Sequence, residues 1–289
     1  MRLTNEFLQV EVSAKGAELK SLKSNTDGYE YLWSGDPQYW AKTSPVLFPI
    51  VGALRDDTYF YQGKTYHLPR HGFARDYIFE ENQLSDTEAV FTLRDMPETH
   101  GVYPFAFQLS MHYKLTGHTL GCTYEVYNPS GHQPLFFSIG GHPAFAVHTD
   151  GEALRYDDSY LEFPEDEALD CHQLEGNLIA ERIRSIPLKD HKLPLTHQLF
   201  YSDALVLKTL KSRQITLRNR ANDRGIHFRH ENFPYFGIWA AKDADFVCLE
   251  PWYGIADTVG HDQQLEGKEG IQQLEPGKTW TRGWEVTCF

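Results

Sequence analysis

From Phe105 to Leu115 the chain alternates. Phe105, Phe107, Leu109, Met111, Tyr113 and Leu115 are apolar, and Ala106, Gln108, Ser110, His112 and Lys114 stand between them. Successive side chains of a strand point to opposite faces, so a period of two puts one face into a core and the other toward water. A second run follows, with Leu120, Cys122, Tyr124 and Val126 alternating with Gly121, Thr123, Glu125 and Tyr127. Thr116-Gly117-His118 lies between them as a turn, which predicts a hairpin. Leu8–Val12 and Trp284–Cys288 alternate in the same way, and Tyr59–Tyr61 and Thr65–Leu68 flank Gln62-Gly63-Lys64 as another hairpin. Further strands are expected at 89–93, 204–207, 214–217, 226–228, 235–240 and 246–249. No run places apolar residues at i, i+3, i+4 and i+7 over three helical turns. Many short strands with frequent turns predict an all-β sandwich or barrel. Residues 162–197 are the least regular and read as an insertion or long connection. No linker breaks the chain, so 1–289 is expected to be one domain.

Charge excludes several partners. The 289 residues carry a net charge of -13. A phosphate backbone demands a clustered basic face, which is absent, so no nucleic acid partner is expected. An anionic membrane surface is disfavoured for the same reason. No stretch approaches the ~18 apolar residues of a membrane span. The first sixteen residues contain no apolar signal region, and a cytoplasmic location is expected. The four cysteines are scattered without a CxxC pair and read as buried thiols.

Three segments combine strand ends with ionisable groups. Pro69-Arg70-His71-Gly72-Phe73-Ala74-Arg75 sets an imidazole and two guanidinium groups on a tight loop. In Phe136–Phe145 an apolar run ends in Gly140-Gly141-His142-Pro143. The glycines permit close approach and the proline ends the ladder. His142 is either an acid held at a strand end or a histidine satisfied by backbone at a turn. In Phe246–Gly254 a carboxylate, Glu250, ends an apolar run beside Trp252 and Tyr253. A buried carboxylate needs a partner, so Glu250 is either an ion-pair member or a group whose protonation is used. The pair His67 and His71 has H-x-x-x-H spacing, but Pro69 argues against the helix that a metal site of that kind needs. No metal is expected.

Together these segments resemble the aldose 1-epimerase (galactose mutarotase-like) family, most closely its lactose-operon X protein-like branch. The resemblance runs along nearly the whole chain. Its residues are Gly16–Leu22, Trp33 with Pro45–Pro49 and Gly52, His71–Arg75, Gly140–Phe145, Leu249–Trp252, and Lys268–Ile271 through Leu274–Gly277. It implies a β-supersandwich of large antiparallel sheets with an open groove. It implies interconversion of α and β anomers of a hexose without cofactor or metal. It puts the acid on His142, the base on Glu250, a second active-site histidine on His71, the sugar-binding arginine on Arg55 and an aspartate on Asp203. Arg75 and Trp252 join them as expected substrate contacts, and Tyr253, Phe73 and Phe145 as further aromatic candidates. The implied partner is a small sugar, and the chain is expected to be a monomer or homodimer. Two alternatives stay open. One is a hexose-6-phosphate 1-epimerase, for which Arg70, Arg75, Arg220 and Arg229 are the available cations. The other is a non-catalytic carbohydrate-binding protein on the same fold. The net negative charge favours a neutral substrate.

Overall fold

The computed structural model describes residues 1–149, 151 and 153–289. Its alternating run forms strand Gln108–Thr116, paired antiparallel with Thr119–Tyr127 across the predicted turn. The strand begins later than the sequence period suggests. Phe105 and Phe107 lie in the irregular segment before it, yet both are buried, with Phe105 packed on Tyr61 and Tyr103. Burial set the period there, and burial does not require a ladder.

This hairpin belongs to a nine-stranded antiparallel sheet. Its order is Lys192–Pro194, Ser159–Glu162, Gln214–Asn219, Gly225–His230, Thr279–Cys288, Thr119–Tyr127, Gln108–Thr116, Glu88–Arg94 and Glu80–Ser85. A second, eight-stranded sheet runs Leu178–Pro187, Ala168–Glu175, Leu205–Leu207, Tyr235–Trp239, Phe246–Tyr253, Ile139–Gly141 and Val46–Leu47, with Ala144–Ala146 also pairing with Phe246–Tyr253. The two sheets pack through aromatic side chains. Phe145 meets Phe228 at 5.8 Å between ring centres, and Tyr253 meets Trp280 at 5.1 Å. The Trp284 indole N–H donates to the Tyr124 hydroxyl at 2.7 Å, satisfying two polar groups inside this layer. The expected all-β architecture of large antiparallel sheets is therefore the one observed. Pro97–His100 is the only α-helix among the described residues, and no described helix is long and apolar enough to cross a membrane. The four cysteines are buried and free.

Residues 162–197 correct the sequence reading. Most of this stretch is a hairpin, Ala168–Glu175 against Leu178–Pro187, turned at Gly176 and Asn177 with φ of 58° and 71°. The hairpin forms the edge of the eight-stranded sheet. Much of its length is exposed, so polar residues occupy both faces and the period-two signal fades.

Candidate active site

The centre of the eight-stranded sheet carries the site. Strand Phe246–Tyr253 pairs on one side with Tyr235–Trp239 and on the other with two short strands, Ile139–Gly141 and Ala144–Ala146. The register reads Gly140↔Trp252 before the gap and Ala144↔Cys248 after it. Between them, His142 falls opposite Glu250. Pro143 has no N–H for the ladder, so pairing lapses there and the imidazole is released toward the carboxylate. The segment stays anchored because Leu249 N–H donates to the Pro143 carbonyl at 3.1 Å.

The two glycines before His142 open one face each. A Cβ on Gly140 would meet the Trp252 ring at 2.6 Å, and one on Gly141 would meet the Tyr124 hydroxyl at 2.4 Å on the core side. Gly237, across the strand from Glu250, would likewise strike the Trp252 ring at 2.3 Å. The indole of Trp252 therefore lies between two residues that have no side chain.

His142 Nε2 approaches Glu250 Oε2 to 3.2 Å without the alignment of a hydrogen bond. Three buried polar atoms are left without partners here: Glu250 Oε2, His142 Nδ1 and Trp252 Nε1. Buried polar groups are nearly always paired, so three orphans in one place mark a site that a polar ligand completes. They border a cleft of about 330 Å³ whose walls include Trp40, Trp239, Trp252, Arg70, His71, Arg75, His142 and Glu250. The Trp40 ring lies 4.9 Å from that of His142, tilted by 32°, and Trp239 closes the other side edge-on at 5.6 Å.

His71 reaches the cleft by an uncommon backbone. Its φ is 70°, a region that side-chain-bearing residues enter at a cost of about 1–3 kcal/mol. Two bonds hold it there: His71 N–H donates to the Gly52 carbonyl at 2.9 Å, and Gly52 N–H donates to His71 Nδ1 at 3.1 Å. Because Nδ1 accepts, the proton of the neutral ring sits on Nε2. The His71 and His142 rings stand 5.9 Å apart, edge to face.

Burial dominates the electrostatics. It depresses His142 to about 3 and His71 well below its usual value, with Arg70 and Arg75 adding to the effect. Burial also raises Glu250 well above the carboxylate range, while Arg70 opposes that rise. Both histidines are thus neutral near pH 7. Burial thus favours the uncharged form of the Glu250 carboxyl as well, and the His142–Glu250 pair is placed to share a proton between carboxyl and imidazole.

Of the residues expected from sequence, His71, His142, Glu250, Arg75 and Trp252 line this cleft. Arg55 does not: its side chain is exposed and donates to the His261 carbonyl at 3.0 Å. Asp203 is not among the cleft walls either: it accepts from the N–H of the wall residue Ala204 at 2.7 Å, and its charge raises the proton affinity of Glu250. Arg70 and Arg75 line the cleft, whereas Arg220 and Arg229 do not. Among the aromatic candidates Tyr253, Phe73 and Phe145 are absent from the walls, since Tyr253 faces Trp280, Phe73 packs on Phe48, and Phe145 packs on Phe228. Trp40, Trp239, Leu174, Asn177 and Ile179 were not expected. Trp239 lies in a predicted strand and alternation alone does not assign its face, while Gly176-Asn177 is a hairpin turn signal that the irregular flanking sequence masked.

Comparisons with known proteins bear on the family and the fold. The family model for aldose 1-epimerase matches residues 1–282. The chromosomal LacX protein of Lactococcus lactis subsp. lactis is 33% identical over 299 aligned positions, covering 100% of this chain and 99% of that protein. A galactose mutarotase related enzyme from Lactobacillus acidophilus superposes with a TM-score of 0.95 at 34% identity, over 100% of this chain and 97% of that one. A galactose mutarotase-like protein from Lactobacillus casei gives 0.92 at 30% identity, over 100% and 99%. The chain belongs to the aldose 1-epimerase family.

Proposed function

We propose that the protein interconverts the α and β anomers of a hexose, as a cofactor-independent aldose 1-epimerase. One observation carries the reading: a carboxyl and an imidazole 3.2 Å apart, with orphaned polar atoms, facing an indole-walled cleft. The two oxygens that exchange protons in anomerisation, the C1 hydroxyl and the ring oxygen, sit on one carbon. The acid and base must therefore be neighbours, and neighbours in register on adjacent strands satisfy this. Glu250 takes the C1 hydroxyl proton while His142 protonates the ring oxygen as the C1–O5 bond breaks. Rotation about C1–C2 follows, and reclosure returns each proton by the reverse route. Moving the shared proton from Glu250 to His142 readies both groups with no change in net charge, and sugar hydroxyls donating to the carboxylate favour that transfer. His71 Nε2–H donates to a ring or hydroxyl oxygen. Trp40 and Trp239 offer faces to the apolar side of the sugar.

Polarimetry on a panel of aldoses tests the reading. The wild type should accelerate anomer exchange, and His142→Ala should lose about 10²–10⁴-fold. If the wild type binds sugars but accelerates none, the protein is a binding module on this fold.

A second reading has its own support. Arg70 and Arg75 line the cleft, and no carboxylate lies within ion-pair distance of Arg70 among the described residues. A 6-phosphate would find two guanidinium donors there, despite the acidic chain as a whole. Under this reading Arg70→Gln raises KM for a hexose 6-phosphate much more than for the free hexose. Equal effects on both would reject it.

A further inference from the structure

Beneath the acid–base pair lies a third donor. Cys248 precedes Glu250 by two positions on the same strand, so both side chains leave the same face. His142 arrives opposite Glu250. One ring nitrogen of His142, the Cys248 sulfur and a Glu250 carboxylate oxygen lie within 4.8 Å of one another, and all three residues are buried. His142 Nδ1 and Glu250 Oε2 have no hydrogen-bond partner.

We infer that His142, Cys248 and Glu250 form a binding site for a soft divalent cation of the zinc class, which blocks the cleft when occupied. The donor set is imidazole, thiolate and carboxylate, the three side-chain types zinc selects, and two of the three donors, His142 and Glu250, line the cleft. Metal–ligand bonds of about 2.0–2.3 Å require donors somewhat closer than they now stand, and side-chain rotations of roughly 1 Å supply this. Charge also balances. Binding displaces the Cys248 thiol proton, and any proton on the Glu250 carboxyl, to solvent, and thiolate and carboxylate together neutralise the dication. His142 is already neutral and releases nothing. Arg70 and Arg75 oppose a cation in the cleft, but Arg70 is exposed and its field is screened by water. The cation and the sugar compete for Glu250 and His142.

The experiment pairs cobalt absorption with polarimetry, on wild type and on Cys248→Ala and Cys248→Ser. Cobalt(II) is expected to give a thiolate-to-metal charge-transfer band in the wild type that both variants lack, with Cys122, Cys171 and Cys288 retained as internal controls. Zinc is expected to inhibit wild-type anomer exchange reversibly, with release by chelator, and to need at least about tenfold higher concentration against Cys248→Ala. Saturating sugar should weaken the cobalt band. An absent band, or equal zinc sensitivity of Cys248→Ala and wild type, overturns the inference. If no sugar is turned over, the cobalt arm still decides, so failure of the proposed activity is separable from failure of the site.

Discussion

Two carboxylates near the cleft, Glu250 and Asp257, are equally buried and oppositely treated. Each is 1% exposed. Asp257 is fully partnered: Lys268 Nζ donates to it at 2.6 Å and Arg55 N–H at 2.9 Å. Lys268 is itself buried and gives a second bond to the Ile255 carbonyl at 2.7 Å. Backbone bonds from Asp257 N–H to Ala53 and from Ile179 N–H to Asp257 extend the tie to both neighbouring segments. Glu250 has a histidine at 3.2 Å, no aligned donor on Oε2, and no lysine or arginine in ion-pair contact. A satisfied buried pair holds structure in place, while an unsatisfied one leaves proton affinity free to be used. The first pair supports the second. Ile255 and Ala256 are cleft walls, and Ala53 follows Gly52, whose N–H fixes the His71 tautomer.

Separate substitutions test this contrast. Glu250→Gln should lower kcat by about 10²–10⁴-fold and leave stability unchanged or slightly higher, read by polarimetry and denaturant unfolding. A large loss of stability would place Glu250 with Asp257. Lys268→Met should do the reverse, destabilising by about 3–5 kcal/mol because Asp257 is left buried and unpaired. Adding Asp257→Asn to it should restore much of that loss, and no recovery would mean that Lys268 acts through packing alone.

Acid sensitivity comes next. His71, His142 and His230 are buried neutral, with His142 held to about 3 and His230 to about 4. Below the ordinary histidine value the unfolded chain takes up protons that the folded chain refuses. Stability therefore falls as pH drops from about 6.5 toward 4. His230 alone contributes roughly 3 kcal/mol at full effect, from about 1.4 kcal/mol per pKa unit. His230→Phe should flatten part of that slope in pH-dependent unfolding, and an unchanged slope would show the histidine is not the source. The smallest effect is at the rim. Asn177 accepts from Arg70 at 3.0 Å, and Asn177→Ala should change KM by only a few fold with kcat intact.

The sheets, the hairpin 108–127 and the segments that bring His71, His142 and Glu250 to the cleft were legible because each is written locally. Alternation marks a strand, and Gly-Gly-His-Pro marks a strand end. Arg55 and Tyr253 show where local reading stops. Tyr253 adjoins Trp252, and a single step along a strand reverses the face, so one indole enters the cleft and the next ring enters the core. Arg55 lies on a loop whose backbone serves Asp257, and the guanidinium groups at the cleft come from the following loop instead. Trp40 and Asn177 reach the site through tertiary placement, which no spacing records.

Strand Thr279–Cys288 lies inside the nine-stranded sheet, between Gly225–His230 and Thr119–Tyr127. During synthesis the ribosome produces both of those neighbours long before the strand that joins them. Until residue 288 has been made, each presents an unpaired edge able to recruit another chain. Closure then depends on contacts between residues far apart in sequence, the regime in which folding is slow. The nine-stranded sheet is thus completed after the sheet that carries the cleft, and an elongating chain has to keep two exposed edges apart until it is.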